Sequence, residues 1–208
     1  MSAPDTTRTR PPAVPPTARS APRAGSHVYL RACRCDLIEV AALRGRAAEL
    51  ERRAAASGAP LAPLGRAHAA AAHLVLSVRP DRWLILAAPR PPGETAEHWE
   101  RLCAGCGVTV ELTCAWCAFE LGGPSAREVL ARGCRLDLDP LAFAAGHAAA
   151  TIVAQVAVTL TALPASLLIL TPSTTARHFR EWLTTVAEPF GLALPAQVAA
   201  TELIGERA

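Results

Sequence analysis

The amino-acid sequence predicts an α+β fold made of two duplicated βαββαβ-type, ferredoxin-like units that share one domain. Short apolar segments typical of strands alternate along the chain with amphipathic segments that end at glycine. Two stretches also echo each other. Trp83–Leu86 and Leu167–Leu170 each precede a helix that contains a His–aromatic pair. A glycine and then an alternating apolar segment follow each of these helices. We therefore expect a duplicated unit with the helix aromatics in the core.

The first half is predicted to contain a strand, a helix, a hairpin, a second helix and a strand. Gly58 ends the first helix, and a Pro-Asp turn joins the hairpin strands. In chain order these elements are Val28–Cys35, Leu43–Ala56, His73–Val78 with Trp83–Ala87, Thr95–Cys106 and Val108–Leu112.

The second half is predicted to repeat this order. A strand over Cys117–Leu121 leads to a helix that Gly122 to Ser125 open and Gly133 ends, with Pro124 near its first helical position. A long alternating strand then follows from Ala148, and a further strand covers Leu167–Leu170. The last helix runs from Ser173, a plausible cap, to about Glu188.

Composition sets the predicted domain boundaries. Residues 1–26 contain six prolines among Ser, Thr and Arg, which predicts a disordered tail. The folded domain is expected over residues 27–195, with residues 196–208 as a C-terminal tail. Seven cysteines without an apolar leader segment indicate a reducing, cytoplasmic location. The net charge of +3, with no basic stripe between aromatics, argues against a nucleic-acid partner.

The uncharged stretch from Ala148 to Leu170 is long enough to suggest a membrane span. Its first part, however, alternates β-branched and apolar residues with threonines at a period of two, which is typical of a half-buried strand. Pro164 then interrupts the run. We predict strands here and no membrane partner.

Two Cys-x-x-Cys pairs, Cys103 with Cys106 and Cys114 with Cys117, suggest an alternative function as a small zinc or redox module. The pairs are separated by only seven residues, and the first ends a helix, where the dipole does not lower a thiol pKa. We interpret the four cysteines as small core residues. Because no metalloprotease, phosphate-loop or nucleophile-elbow motif is present, we expect no catalytic, cofactor-binding or metal site on this chain.

Two segments carry a resemblance to a known family. Pro80–Leu86 (PDRWLIL) resembles the GPDEWLLL segment of sarcosine oxidase gamma subunits. Gly122–Leu138 resembles their GPxAREVLAKGCxLDL segment and continues into Pro140 and Phe143, as in that family. The long strand after Gly146 and the final helix through Trp182 and Leu183 to Gly191 are similar to that family as well, so that the resemblance extends over most of residues 28 to 192. It implies a fold like the folate-binding domain of glycine-cleavage aminomethyltransferases.

The resemblance implies a gamma subunit of a heterotetrameric sarcosine oxidase, without an active site of its own. Such a complex demethylates sarcosine to glycine, passes the one-carbon unit to tetrahydrofolate and produces hydrogen peroxide. Its partners would be the alpha, beta and delta subunits, which carry FAD, FMN, NAD and zinc. A related N-methyl amino acid dehydrogenase subunit is one alternative, and a free-standing folate-dependent aminomethyltransferase is another.

Residues of these two segments are the predicted candidates for a subunit interface, although core packing of Trp83 and solvation of the arginines are the competing interpretations. The candidates are Trp83, Arg127, Arg132, Arg135 and Phe143.

Overall fold

The computed structural model describes residues 27–70 and 73–200. The predicted tail 1–26 lies outside the described residues. Within them the chain forms twelve strands, four α-helices and a short 3₁₀ turn (Glu188–Phe190). The strands are β1 Val28–Arg34, β2 Asp36–Ala42, β3 Arg66–Ala70, β4 His73–Arg79, β5 Arg82–Ala87, β6 Gly107–Glu111, β7 Trp116–Gly122, β8 Ala148–Val153, β9 Val156–Ala162, β10 Ser166–Pro172, β11 Leu192–Ala193 and β12 Val198–Ala199. The helices are α1 Ala47–Ala56, α2 Glu94–Cys103, α3 Ala126–Ala131 and α4 Ser173–Ala187.

The elements form four layers, with two sheets in the middle and helices outside. The five-stranded sheet has the order β3-β4-β5-β2-β6, and the seven-stranded sheet has the order β11-β1-β7-β10-β9-β8, with β12 also beside β1. Helices α1 and α2 cover the outer face of the former, and α3 and α4 cover that of the latter. A third apolar cluster fills the space between the sheets. The predicted α+β class is confirmed.

Apart from β1 and β12, each sheet is built from one half of the chain, and the two halves have the same succession of elements. That succession is strand, helix, three strands, helix and strand, running from β2 to β6 and from β7 to β11. Each half therefore has one strand more than a βαββαβ unit, namely β3 or β8. The helix aromatics occupy matching core positions, because Trp99 on α2 and Phe179 on α4 are both 0% exposed. Truncating either to alanine would cost about 3–5 kcal/mol of stability.

β1 and β2 form one stretch of chain that passes from the seven-stranded sheet to the five-stranded sheet at Cys35. The segment from β6 to β7 follows it antiparallel, with Cys33 opposite Ala118 and Ile38 opposite Glu111. The sequence predicted only the first strand of this stretch. Because β1 and β2 face different layers on either side of Cys35, no single apolar alternation continues through both.

The predicted long strand after Ala148 is wrong: the segment is a hairpin of β8 and β9. Its two-residue turn consists of Ala154 and Gln155, whose φ angles are +49° and +66°. Turns with two left-handed residues normally contain Asn or Gly, so this sequence carries no turn signal.

Several predicted helix ends are displaced. Ser173 is the first residue of α4 and not its cap, since Pro172 precedes the helix and no side chain caps it. Pro124 lies before the N-cap Ser125 of α3. α2 ends at Cys103, three residues earlier than predicted, because the chain turns through Gly105 at φ +75° into β6. β12 pairs with β1, so strand structure continues past residue 195, where the folded domain was predicted to end.

Candidate functional site

The structure separates the two cysteine pairs. Cys103 and Cys106 are buried beneath α2 on the helix side of the five-stranded sheet. Cys117 packs on the helix side of the seven-stranded sheet, and Cys114 is exposed. Since the pairs belong to different layers, they do not assemble a four-thiolate site. No other group of three or more His, Cys, Asp or Glu side chains in the described part of the chain is arranged to hold a metal ion.

The environment of the thiols also weakens them as nucleophiles. Burial raises the pKa of Cys103, although Thr109 Oγ1 lies 3.4 Å from its sulfur and opposes that shift. Burial likewise raises the pKa of Cys117, and it raises the pKa of Cys35 to about 12. Because the thiolate is the reactive form, a raised pKa makes these thiols weaker nucleophiles at neutral pH. Of the four paired cysteines, Cys103 and Cys106 lie in the core as interpreted and Cys117 is half-buried, whereas the exposed Cys114 is not a core residue.

One charged cluster lies between the sheets. Glu120 on β7 is only 2% exposed, and it accepts hydrogen bonds from Arg31 Nε and, at 3.0 Å, from the Tyr29 hydroxyl. Burial lowers the pKa of the Arg31 guanidinium, but its hydrogen bond and charge interaction with Glu120 outweigh burial and raise it overall. Both carboxylate oxygens are engaged, so the cluster links β1 to β7 and leaves Glu120 poorly suited to proton transfer.

Gly122 makes room for this cluster. A Cβ atom at Gly122 would lie 2.2 Å from the Tyr29 ring, and one at Gly133 would lie 2.4 Å from the Trp182 ring. Neither glycine is among those with positive φ. At both glycines, close approach of an aromatic ring is therefore the constraint, and not the backbone conformation at the ends of α3.

The sequence did not identify the Glu120 cluster. Arg31 and Glu120 meet only because β1 and β7 pair in one particular register, which joins residues 89 positions apart. The available signal was the acidic residue inside the otherwise apolar strand Cys117–Leu121, since a carboxylate in such a strand needs a buried partner.

Trp83 and Phe143, two of the predicted interface residues, lie in the interior of the chain. Each is 4% exposed. The Trp83 indole Nε1 donates to the Ala62 carbonyl at 2.8 Å, so its polar edge is also satisfied within the chain. Neither side chain has surface to offer to a partner, and the core interpretation of Trp83 agrees with the geometry.

The three predicted arginines occupy the surface around α3. Arg127 Nη1 donates to the carbonyl groups of Leu138 and Phe143 at 2.7 and 2.9 Å, which fastens the following loop to the helix. Arg132 is exposed and lies 4.9 Å from the centre of the Phe190 ring. Arg135 is exposed as well. Of the five candidates, only Arg132 and Arg135 present exposed side chains.

No helix in residues 27–70 and 73–200 combines the length and apolar character needed to cross a membrane. The uncharged stretch from Ala148 to Leu170 lies in strands β8, β9 and β10. Strands, and not a membrane helix, were predicted for it.

Comparison with known proteins identifies structural relatives. Neither the known protein families nor the curated protein sequences match this chain. Among solved structures, a chain of heterotetrameric sarcosine oxidase from Corynebacterium sp. U-96 is 26% identical, with a TM-score of 0.69 over 82% of this chain and 89% of that chain.

Glycine cleavage system aminomethyltransferase T from Bartonella henselae is 17% identical, with a TM-score of 0.61 over 82% of this chain. This chain spans about half of that protein, because the match covers 48% of its length. The second match establishes a shared fold. The chain is thus related in structure to heterotetrameric sarcosine oxidase and to glycine-cleavage aminomethyltransferase, as the resemblance in its sequence predicted.

Proposed function

We propose that this chain is the gamma-type subunit of a heterotetrameric sarcosine oxidase. The match to a chain of that enzyme carries the proposal, since it covers most of both chains and therefore relates two proteins of similar length. The resembling segment Gly122–Leu138 supports it independently, because it forms the last residue of β7, all of α3 and the loop that Arg127 fastens.

In this proposal the chemistry takes place on other chains. The alpha, beta and delta subunits would carry NAD, FAD, FMN and zinc, and the cytoplasmic complex would convert sarcosine to glycine, tetrahydrofolate-bound one-carbon units and hydrogen peroxide. Two features of this chain favour a non-catalytic role. The buried carboxylate of Glu120 is committed to Arg31, and burial keeps Cys103 and Cys117 protonated.

We also propose that the two halves are duplicated units to which β3, β8 and the inserted strand β1 have been added. The matching spatial orders β3-β4-β5-β2-β6 and β8-β9-β10-β7-β1-β11 support this.

Co-expression tests the proposed function. The isolated chain should be colourless and inactive, whereas co-expression with the products of the adjacent genes should give a yellow complex that contains it. That complex should release hydrogen peroxide when sarcosine is added. Failure of the chain to associate with flavin-bearing subunits would refute the proposal. Oxidation of another N-methyl amino acid without peroxide would instead identify a related dehydrogenase.

A further inference from the structure

Strand β6 is an open edge of the five-stranded sheet. Its pairing with β2 is the one strand pairing it makes within the described residues. At the other edge of that sheet, β3 is joined to the segment before β8 by backbone hydrogen bonds, from Ala67 N to Gly146 O and from Ala148 N to Gly65 O. In the seven-stranded sheet, one edge is lined by the two-residue strands β11 and β12. The other edge is β8, whose ends are held by the bridges from His147 to Arg66 and from Val153 to Cys134. Within the described residues, β6 has no such bridge on its outer side.

β6 also lacks most of the features that protect exposed edges. Natural edge strands are blocked by proline, by charged side chains and lysine above all, by bulges or by extreme shortness. The five residues of β6, Gly-Val-Thr-Val-Glu, include no proline and one charged residue, Glu111 at the last position, and the strand pairs with β2 in unbroken register. Such an edge invites pairing with a further strand.

Apolar side chains mark one face of this edge. Val108 lies opposite Ala41 and Val110 lies opposite Glu39, which places both valines on the face of the sheet that looks towards the seven-stranded sheet. They are 50% and 49% exposed, and Leu43, which continues β2 on the same face, is 44% exposed. These three residues, hereafter the β6 face, are three of the seven exposed large hydrophobic residues in the described part of the chain.

The ends of this chain do not suit the edge. Ala200 follows β12, which pairs with β1 on the side away from β7. β6 pairs with β2 on the other side of the continuous β1–β2 stretch, the side on which β7 lies. A C-terminal segment leaving Ala200 would therefore have to cross β2 to reach β6. Residues 1–26 contain six prolines, which lack the amide hydrogen that strand pairing requires. The two proline-free stretches of five or more residues, 5–10 and 17–21, contain no apolar residue larger than alanine to cover the valines. The occupant is better sought in another chain.

We propose that β6 docks an extended segment of another subunit, which adds to the five-stranded sheet as a sixth strand; this inference rests on the proposed function. Charge defines the partner further. Exposed Arg44 lies beside the Gly107 end of β6, and exposed Glu111 lies at the other end. The docked segment should carry apolar residues at alternate positions over the β6 face, an acidic residue near Arg44 and a basic residue near Glu111.

Paired substitutions in the co-expressed complex test this inference. The double variant Val108→Lys with Val110→Lys introduces the charges that natural edges use. The double variant Leu64→Lys with Leu141→Lys is the matched control, because both leucines are exposed, lie outside the strands and add the same charge. We expect the valine double variant to retain about tenfold less flavin subunit than the wild type. The control should retain the wild-type amount, and both isolated variants should melt like the wild type.

Hydrogen exchange provides the second measurement. Backbone pairing should slow amide exchange in residues 107–111 in the wild-type complex relative to the isolated chain. Unchanged exchange there, or full retention of flavin subunit by the valine double variant, would overturn the inference. If the isolated wild-type chain dimerises through these residues and the complex forms equally well without them, the occupant is a second copy and the inference is wrong. A wild-type chain that never binds flavin subunits would instead refute the proposed function.

Discussion

Replacing Glu120 by alanine should destabilise the fold more than any surface substitution. The carboxylate is almost fully buried and accepts two charge-assisted hydrogen bonds, one from the Arg31 guanidinium and one from the Tyr29 hydroxyl. Hydrogen bonds to charged groups contribute about 1.5–3 kcal/mol each. The Arg31 side chain is 18% exposed, so water partly solvates it after the substitution. We therefore expect a loss of about 3 kcal/mol in the free energy of unfolding.

Urea unfolding of the isolated chain, followed by circular dichroism, measures this loss. The midpoint should fall while the slope with denaturant stays constant, and the melting temperature should fall by about 6–12 °C. Glu120→Gln should lie between wild type and alanine, because it keeps the size of the side chain but not its charge. Glu97→Gln is the control, since the Glu97 side chain is 70% exposed and 3.9 Å from Arg101. If the alanine variant is within about 0.5 kcal/mol of wild type, the cluster does not link the strands as described.

Three further predictions concern other parts of the fold. Gly133→Ala should cost about 1–3 kcal/mol of stability, because its new Cβ meets the Trp182 ring, and pairing it with Trp182→Leu should recover part of that loss in chemical denaturation. Burial lowers the pKa of His73, so protonation of this imidazole favours the unfolded chain. The free energy of unfolding should keep its full value above about pH 6.5 and fall below that pH. His73→Phe should flatten this dependence in thermal melts measured across pH. Arg127→Met should release the loop over residues 138–143, so amide exchange should accelerate relative to the wild type more in this loop than in α3. An equal change in the loop and in α3 would contradict the fastening role of Arg127.

Much of the fold could be predicted because its signals are local. The apolar run Trp83–Ala87 and the amphipathic spacing around Trp99 and Phe179 identify buried elements without any knowledge of their neighbours. What could not be predicted depends on pairing. The Arg31–Glu120 contact requires the register of two distant strands, and the turn at Ala154 uses backbone angles that its residues do not announce.

Three of the five predicted interface residues have partners within the chain, and the reason is informative. The residues of the recognisable segments were selected because they form motifs, but a motif that specifies a fold is composed of residues with internal partners. Trp83 and Phe143 lie in the core, and Arg127 donates hydrogen bonds to two carbonyl groups of its own chain. The β6 edge lies in a short segment that resembles no motif. A surface that recognises one particular partner has to be found from what the folded chain leaves uncovered, and the adjoining exposed residues Leu43, Val108 and Val110 meet that criterion.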